Sequence, residues 1–321
     1  MRTFIYVLKR LGLSIVTFFI IMTMNFVLIK LLEPEVPMMG QQAELEMARR
    51  RALGYEKPLM EQYGIFLRNI FTKWDWGTSW KVEYNKPVND VIFKRLPPTI
   101  ILNLYSTILS IPLGIIFGII AAIYKNKWID NVISVVVMLF ISVPSFVYAF
   151  VLQYTLGYKL GIFPVIVSSL YEADGSWWSL DMLHSMVLPI FSLSFGAIAG
   201  FTRSVRAELT EALTSDYMLL ARTKGLTRSQ AIRRHALKNA MVPVLPGLIA
   251  FVLSIMSGAM ITELIFAING IGKLYITTIN MLDYDLFVAV SMFYTAIGLA
   301  TNIVTDLSYG FLDPRIRMGE R

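Results

Sequence analysis

Hydrophobic residues in this chain form long uninterrupted runs instead of the short alternating patterns of soluble domains. A membrane-spanning helix needs about 20 apolar residues, because its backbone must be hydrogen-bonded internally across roughly 30 Å of hydrocarbon. Six runs meet this requirement, and the first reads as a retained anchor and not a removed signal peptide. The predicted spans lie near Leu11–Leu32, Thr99–Tyr124, Asn131–Leu156, Met182–Thr202, Asn239–Leu264 and Leu286–Thr305.

Composition supports an all-α polytopic membrane protein. Of the 321 residues, 56% are hydrophobic and 16% charged, and the mean hydropathy is +0.61. The chain has no cysteine, which excludes disulfides, thiolate metal sites and cysteine nucleophiles, and only His184 and His235 are available for a histidine metal centre. The net charge of +7 is expected to face anionic lipid or a partner protein at the membrane surface, and not nucleic acid.

Basic residues predict the orientation. Short loops rich in Lys and Arg stay in the cytoplasm, and here they place both termini on that side of the membrane. The basic residues that set this orientation are Arg2, Lys9, Arg10, Lys125, Lys127, Arg203, Arg206, Arg222, Lys224, Arg228, Arg233, Arg234, Lys238, Arg315, Arg317 and Arg321.

The connection between the first two spans, residues 33–98, is predicted to be a helical extracytoplasmic segment. Its helix signals fall at Gln41–Leu53, Leu59–Phe71 and Val88–Leu96, and the last of these is expected to lie along the outer membrane surface. Tryptophans in the external segments are expected to anchor at the headgroup level: Trp74, Trp76, Trp80, Trp177 and Trp178.

The predicted spans contain small residues and prolines but few ionisable residues. Glycines four apart permit close helix packing at two places, Gly114 with Gly118 and Gly196 with Gly200. Prolines are expected to bend their helices at Pro112, Pro144, Pro189 and Pro246. We expect no buried carboxylate, because Glu263 and Asp306 lie near predicted span ends, and this argues against ion-driven transport.

The loop at residues 203–240 carries the densest pattern of polar signals. From Glu208 an amphipathic helix is predicted to continue the fourth span, with an apolar face formed by Leu209, Ala212, Leu213, Leu220 and Ala221. Gly225 ends it, and Thr227 with Gln230 forms a capping box for a second helix, from Arg228 to about Ala240. Pro243 then marks a kink in the fifth span. A basic helical hairpin that merely lies on anionic headgroups is the alternative interpretation.

Residues in this loop read Ala-Arg-Thr-Lys-Gly-Leu from Ala221 and Arg-His-Ala-Leu-Lys-Asn-Ala from Arg234. Together with Arg95-Leu-Pro-Pro-Thr99 and Asp313-Pro-Arg-Ile-Arg317, they resemble the B-type permease subunits of dipeptide and oligopeptide ATP-binding cassette (ABC) importers. Leu219 and Leu220 replace the Glu-Ala of the general importer loop, as in the peptide-permease variant. The resemblance extends nearly end to end.

The resemblance implies a type I ABC importer permease fold with six transmembrane helices. It divides the chain into residues 1–32 (N-terminal segment and first helix), 33–98 (extracytoplasmic insertion), 99–309 (transmembrane domain) and 310–321 (cytoplasmic tail). Implied partners are a homologous permease subunit in a heterodimer, two ATPases that bind ATP and Mg²⁺, and an extracytoplasmic peptide-binding protein. The residues expected at the ATPase contact are Ala221, Arg222, Lys224, Gly225, Leu226 and His235.

Several alternatives stay open at this point. His235 could equally be a solvated or cap-bonding histidine, and the cargo could be a dipeptide, a longer peptide, glutathione or a nickel complex. No residue is assigned to substrate binding. An ion-coupled carrier and a channel or scaffold are the rival classes. Gly270-Ile-Gly272-Lys273 is not a phosphate-binding loop, since the upstream glycine and the Ser or Thr after the lysine are missing, so the chain is not expected to be an ATPase or another enzyme.

Overall fold

Helices dominate the computed structural model, which describes residues 2–32, 44, 47–48, 51, 56–172 and 175–312. The predicted helix at Gln41–Leu53 and the tail beyond residue 312 fall largely or wholly outside these residues. The first elements are α1 (Arg2–Leu32), α2 (Leu59–Lys73), β1 (Thr78–Ser79), β2 (Lys86–Pro87), α3 (Val88–Ile123), α4 (Trp128–Ser142) and α5 (Ser145–Leu152), which continues as a π-helix (Gln153–Lys159). The remainder are α6 (Leu180–Leu213), α7 (Asp216–Thr223), α8 (Arg228–Ala231), a π-helix (Ile232–Ala236), α9 (Leu237–Leu253), a 3₁₀ turn (Ser254–Ser257), α10 (Met260–Ile265), α11 (Ile271–Met281) and α12 (Tyr284–Leu312).

Membrane-spanning length and hydropathy are found in five helical segments of the described chain. They are Ile5–Leu32, Val88–Ile123, Leu180–Leu213, Arg228–Ile265 and Tyr284–Ser308. A bent pair, Trp128–Ser142 with Ser145–Lys159, would make a sixth span, and its two arms meet at 97°. The predicted number of spans is therefore confirmed only if the bent pair is taken as one span.

Pro144 breaks the third span, which the hydropathy pattern had predicted as a continuous helix. Proline restricts the preceding residue to extended conformations, and Val143 accordingly has φ −98° and ψ 125°. A new helix begins at Ser145, directly after the proline. Pro112, Pro189 and Pro246 instead lie inside helices that continue past them.

The predicted interfacial helix at Val88–Leu96 is wrong as a separate element. It forms the first turns of α3, which continues through Pro97 and Pro98 to Ile123. Its apolar face, including Val88 and Val91, is buried within the protein and so is not available to a membrane surface. The segment before it also contains a short antiparallel β-hairpin that pairs Thr78 with Pro87, for which the sequence analysis had no prediction.

The chain divides into two compact units. The larger comprises Met1–Leu11, Leu96–Lys273 and Ile297–Arg321, and the smaller comprises Gly12–Arg95 and Leu274–Ala296. In the larger unit α3 packs closely on α6, as the small-residue pattern predicted for α3. A methyl group on Gly114 would lie 2.5 Å from Phe201 Cβ, and one on Gly118 would lie 2.6 Å from Val205 Cβ. A methyl group added to Gly196 or Gly200 would have no atom within 4 Å.

The smaller unit is organised around a buried carboxylate at the start of α12. Asp283 Oδ2 accepts hydrogen bonds from Ser79 Oγ (2.7 Å) and from the backbone N–H groups of Trp80, Lys81 and Val82 (3.0–3.1 Å). Four donors on one oxygen fix the turn of the β-hairpin, because the carboxylate replaces hydrogen bonds that the turn would otherwise make to water.

Beside this turn, Glu83 carries a carboxylate that is held in its charged form. Hydrogen bonds from Lys86 and Arg95 and the charge of Lys94 outweigh the effect of burial and lower the pKa of Glu83 to about 2. A lowered carboxyl pKa stabilises the fold above the unfolded value of 4.5, and this contribution is lost as the pH falls towards 2.

In the larger unit the fifth predicted span does not remain helical to Leu264. The α-helix ends at Leu253, and a 3₁₀ turn leads to Gly258 with φ +63° before α10 begins. Glu263, on α10, is completely buried. The expectation that the chain buries no carboxylate is therefore wrong.

Glu263 connects the interrupted fifth span to α3 and α11 through hydrogen bonds. Its Oε1 accepts from Thr99 Oγ1 (2.9 Å) and its Oε2 accepts from the backbone N–H of Lys273 (2.9 Å), in the first turn of α11. The N–H of Ile271 donates to Thr99 Oγ1 at 2.8 Å. A methyl group on Gly270 would collide with both side chains, so the glycine-rich segment here surrounds an internal carboxylate.

We predict that Glu263→Ala lowers the free energy of unfolding by about 3 kcal/mol, because several buried donors lose their acceptor. Thermal unfolding of the purified protein in detergent measures the change. Glu61→Ala is the matched control: that carboxylate is exposed in a pair with Lys57, and its loss should cost less than about 0.5 kcal/mol. Equal thermal shifts in the two variants would contradict the role given to Glu263.

Candidate coupling site

The predicted coupling loop begins where α6 extends past its apolar span to Leu213, as the amphipathic pattern predicted. The helix does not continue to Gly225, however, but breaks at Thr214 and Ser215. The hydroxyl of Thr214 donates to the carbonyl of Glu211 (3.0 Å), and that of Ser215 to the carbonyl of Ala212 (2.6 Å). Side chains that bond to the last carbonyls of a helix compete with its continuation, and α7 then starts at Asp216.

Gly225 ends α7 as predicted. Its φ is +91°, a left-handed conformation that side-chain-bearing residues adopt at a cost, and nothing lies within 4 Å of the position where a Cβ would be. The N–H of Leu226 reaches back to the carbonyl of Ala221 (3.3 Å), which closes the turn. The glycine is therefore required by backbone conformation and not by crowding.

The capping box at Thr227 is also confirmed. The N–H of Gln230 donates to Thr227 Oγ1 (3.3 Å), and the N–H of Thr227 donates to Gln230 Oε1 (3.0 Å). The helix that follows is not uniform, because after Ala231 it widens into a π-helix at Ile232–Ala236. Sequence periodicity did not predict this widening, which lies directly before α9.

A core made largely of alanines holds these pieces together. Ala221 comes from α7, Ala231 from α8, Ala236 from the π-helix and Leu209 from α6. The full set of buried residues is Ala122, Leu209, Ala212, Met218, Ala221, Ala231, Ile232, Ala236 and Ala240. Since the set includes residues at the ends of α3 and α6, the loop is packed onto two of the long helices, and we call this packed loop the projection.

The outer face of the projection is basic and partly apolar. The cations and His235 are exposed and make no ion pair with the part of the chain that the structure describes; they are Arg222, Lys224, Arg228, Arg233, Arg234 and Lys238. Beside them on α7, Leu219 is 66% exposed and Leu220 is 54% exposed. We call these residues, with Tyr217, the coupling surface.

The six residues predicted at the ATPase contact occupy different environments. Arg222, Lys224, Gly225 and His235 are exposed, Leu226 is half-buried against the alanine core, and Ala221 is buried within that core. Ala221 is therefore placed to hold the loop's shape, and its methyl group is not on the surface.

Leu220, expected on the buried face of a continuous helix, is exposed because the break at Thr214 changes the register of α7. Tyr217, Leu219 and Leu220 were missed as surface residues. The sequence did contain a signal for these surface residues, because they are apolar residues in a loop that is otherwise rich in charge.

An ion pair connects α6 to the first turn of α4. Arg206 donates from Nε to Asp130 Oδ1 (2.6 Å) and from Nη2 to Asp130 Oδ2 (2.8 Å). Asp130 is buried and also accepts from the backbone N–H of Asn126 (2.9 Å). A bidentate pair of this kind fixes both the distance and the orientation of α6 relative to α4.

Sequence comparison establishes the family. Residues 114–318 match the family described as the inner membrane component of binding-protein-dependent transport systems. The chain is 34% identical to the dipeptide transport system permease protein DppB of Lactococcus lactis subsp. cremoris over 98% of this chain and 99% of that protein. It is 30% identical to the oligopeptide transport system permease protein OppB of Haemophilus influenzae over 97% and 99%. The chain belongs to this family of membrane transport components.

Solved structures share its fold. An amino acid ABC transporter chain matches with a TM-score of 0.50 at 16% identity, covering 70% of this chain and 94% of that one. A chain of the MetNI methionine ABC transporter, in an inward-facing conformation, matches with a TM-score of 0.50 at 15% identity, covering 68% and 97%. The fold is that of type I ABC importer permeases, as the sequence predicted.

We predict that Gly225→Ala lowers the free energy of unfolding by about 1 kcal/mol, because alanine must adopt a positive φ there. Gly64→Ala is the matched control. Gly64 also meets nothing within 4 Å but lies inside α2 without a positive φ, so the same substitution should stabilise by up to about 1 kcal/mol. Thermal unfolding of both variants measures the difference, and shifts of the same sign would refute the conformational argument.

Proposed function

We propose that this chain is one of two homologous permease subunits of an ATP-driven importer that carries dipeptides or oligopeptides across a bacterial cytoplasmic membrane. The observation that supports this most is end-to-end similarity at 34% identity to a permease named for dipeptide transport. Both termini and the coupling surface lie in the cytoplasm in this proposal, and residues 33–87 lie outside. An extracytoplasmic peptide-binding protein delivers cargo to the heterodimer.

Two ATPase subunits bind ATP and Mg²⁺ and contact the coupling surface. Exposed leucines on α7 provide an apolar contact, and the surrounding unpaired cations provide attraction to an acidic groove. The alanine core and the Asp130–Arg206 pair would then transmit movement of the ATPases to α3, α4 and α6 as one piece. Closure and separation of the ATPases thereby alternate the access of the cargo pathway between the two sides.

The interaction with the ATPases has a direct test. We expect Arg222→Glu combined with Lys224→Glu to lower the amount of ATPase that copurifies with the tagged permease complex by roughly tenfold, because two attractive charges become repulsive. Arg68→Glu, an exposed charge reversal on α2, should leave copurification unchanged. Full retention of the ATPases by the double variant would remove the coupling surface from the proposal.

Cargo is tested separately by uptake. Cells that lack this chain should fail to accumulate labelled di- and oligopeptides, and the wild-type gene should restore accumulation. If peptide uptake persists while accumulation of glutathione or nickel is lost, the peptide assignment is replaced by that cargo. This outcome would leave the ATPase contact unaffected, because the two measurements depend on different parts of the complex.

A further inference from the structure

A groove on the larger unit runs between α4 and α6, beside the Asp130–Arg206 pair. Its volume is 240 Å³. The α4 side is formed by Ile133, Ser134, Val137, Met138, Ile141 and Ser142, and the α6 side by Thr202, Arg203 and Arg206. The groove is therefore cationic at one end and apolar along its length.

The polar end carries uncompensated positive charge. Arg206 donates from Nε and Nη2 to Asp130. Arg203 is exposed and makes no ion pair with any residue that the structure describes. This end of the groove therefore carries two guanidinium groups, of which only that of Arg206 is paired with a carboxylate of the described chain. The nearby hydroxyls are already engaged, since Thr202 donates to the carbonyl of Gly114 (3.3 Å) and Ser134 donates to Asp130 (3.4 Å).

The apolar wall continues onto a surface that the rest of the described chain leaves open. Met138 is 68% exposed and Ile141 is 43% exposed, and both lie on a helix that contributes to a candidate span. From Ile133 to Ser142 the wall is roughly 14 Å long, at the rise of an α-helix. A wall of this length and character fits part of an acyl chain, whereas a water-filled path for peptides would expose polar side chains.

We propose that this groove binds an anionic phospholipid, with the phosphodiester on Arg203 and the free edge of Arg206 and an acyl chain along α4. A planar guanidinium matches the geometry of phosphate oxygens, and the charge left over after Asp130 is paired favours an anionic headgroup over a zwitterionic one. The bound lipid lies next to the Asp130–Arg206 pair and so stabilises the joint between α4 and α6. The inference rests on membrane embedding and not on the identity of the cargo.

Native mass spectrometry of the full-length chain, with phosphatidylglycerol and phosphatidylcholine added at equal concentration, tests the site. We expect wild type to retain phosphatidylglycerol preferentially and Arg203→Gln to lower that retention about fivefold, the effect of one basic residue at a membrane surface. Val137→Trp, which fills the groove without changing charge, should lower retention of the same lipid. Arg68→Gln, an exposed cation elsewhere, should leave it unchanged.

Equal retention of phosphatidylglycerol by wild type and both groove variants would overturn the proposal. Displacement of the lipid by a short peptide with a free carboxylate, but not by its amidated form, would also overturn it and assign the groove to cargo. Thermal unfolding of each variant shows that it is folded, and the retention ratio is taken within each spectrum. A loss of lipid that is specific to the two groove variants therefore supports the site.

Discussion

Backbone groups in an apolar span must find hydrogen-bond partners inside the protein, and this constraint governs where the chain departs from regular helix. Within the candidate spans of the larger unit, the α-helix is interrupted at Val143–Pro144, by the π-helices Gln153–Lys159 and Ile232–Ala236, and at Ser254–Ala259. Polar side chains form hydrogen bonds with the backbone near two of these interruptions. Gln153 Nε2 donates to the carbonyls of Val165 and Ile265, both at 2.8 Å, and Glu263 accepts from the N–H groups of Ala259 (3.3 Å) and Lys273.

These side chains change how a buried charge should be interpreted in this protein. A carboxylate inside a membrane protein commonly marks an ion pathway. Here Glu263 is occupied by hydroxyl and backbone donors, Asp283 by four donors, and Asp130 by a guanidinium group. Glu263 and Asp283 therefore replace hydrogen bonds that a broken helix and a turn have lost, and Asp130 ties α4 to α6, so each of the three carboxylates has a structural role.

Sequence reasoning succeeded where a local rule decided the conformation. Gly225 and the Thr227 capping box depend only on neighbouring residues, and Gly114 and Gly118 follow a spacing rule for close packing. Hydropathy likewise located the spans, because it depends on length and composition.

Sequence reasoning failed where a local pattern competed with contacts to other parts of the protein. Val88–Leu96 has amphipathic spacing and precedes two prolines, which predicted a separate helix, yet burial of its apolar face keeps it in line with α3. The broken fifth span and the burial of Glu263 depend on two contacts. Thr99 is far from Glu263 in the chain, and Lys273 is separated from it by a turn. Periodicity contains no information about such contacts. The same limit applies to the coupling surface, where local hydrogen bonds of Thr214 and Ser215 turned Leu220 outward.

The spans differ in how much of their surface this chain buries. Half of the residues in the apolar window of Leu180–Leu213 are buried within this chain, against 11% for Arg228–Ile265. Both segments also carry glycines that face open space, Gly196 and Gly200 on one and Gly247 on the other. Lipid tails gain little from such glycines, whereas a neighbouring helix gains close backbone contact. The open glycines therefore suit close contact with a neighbouring helix, which the second permease subunit proposed above would supply.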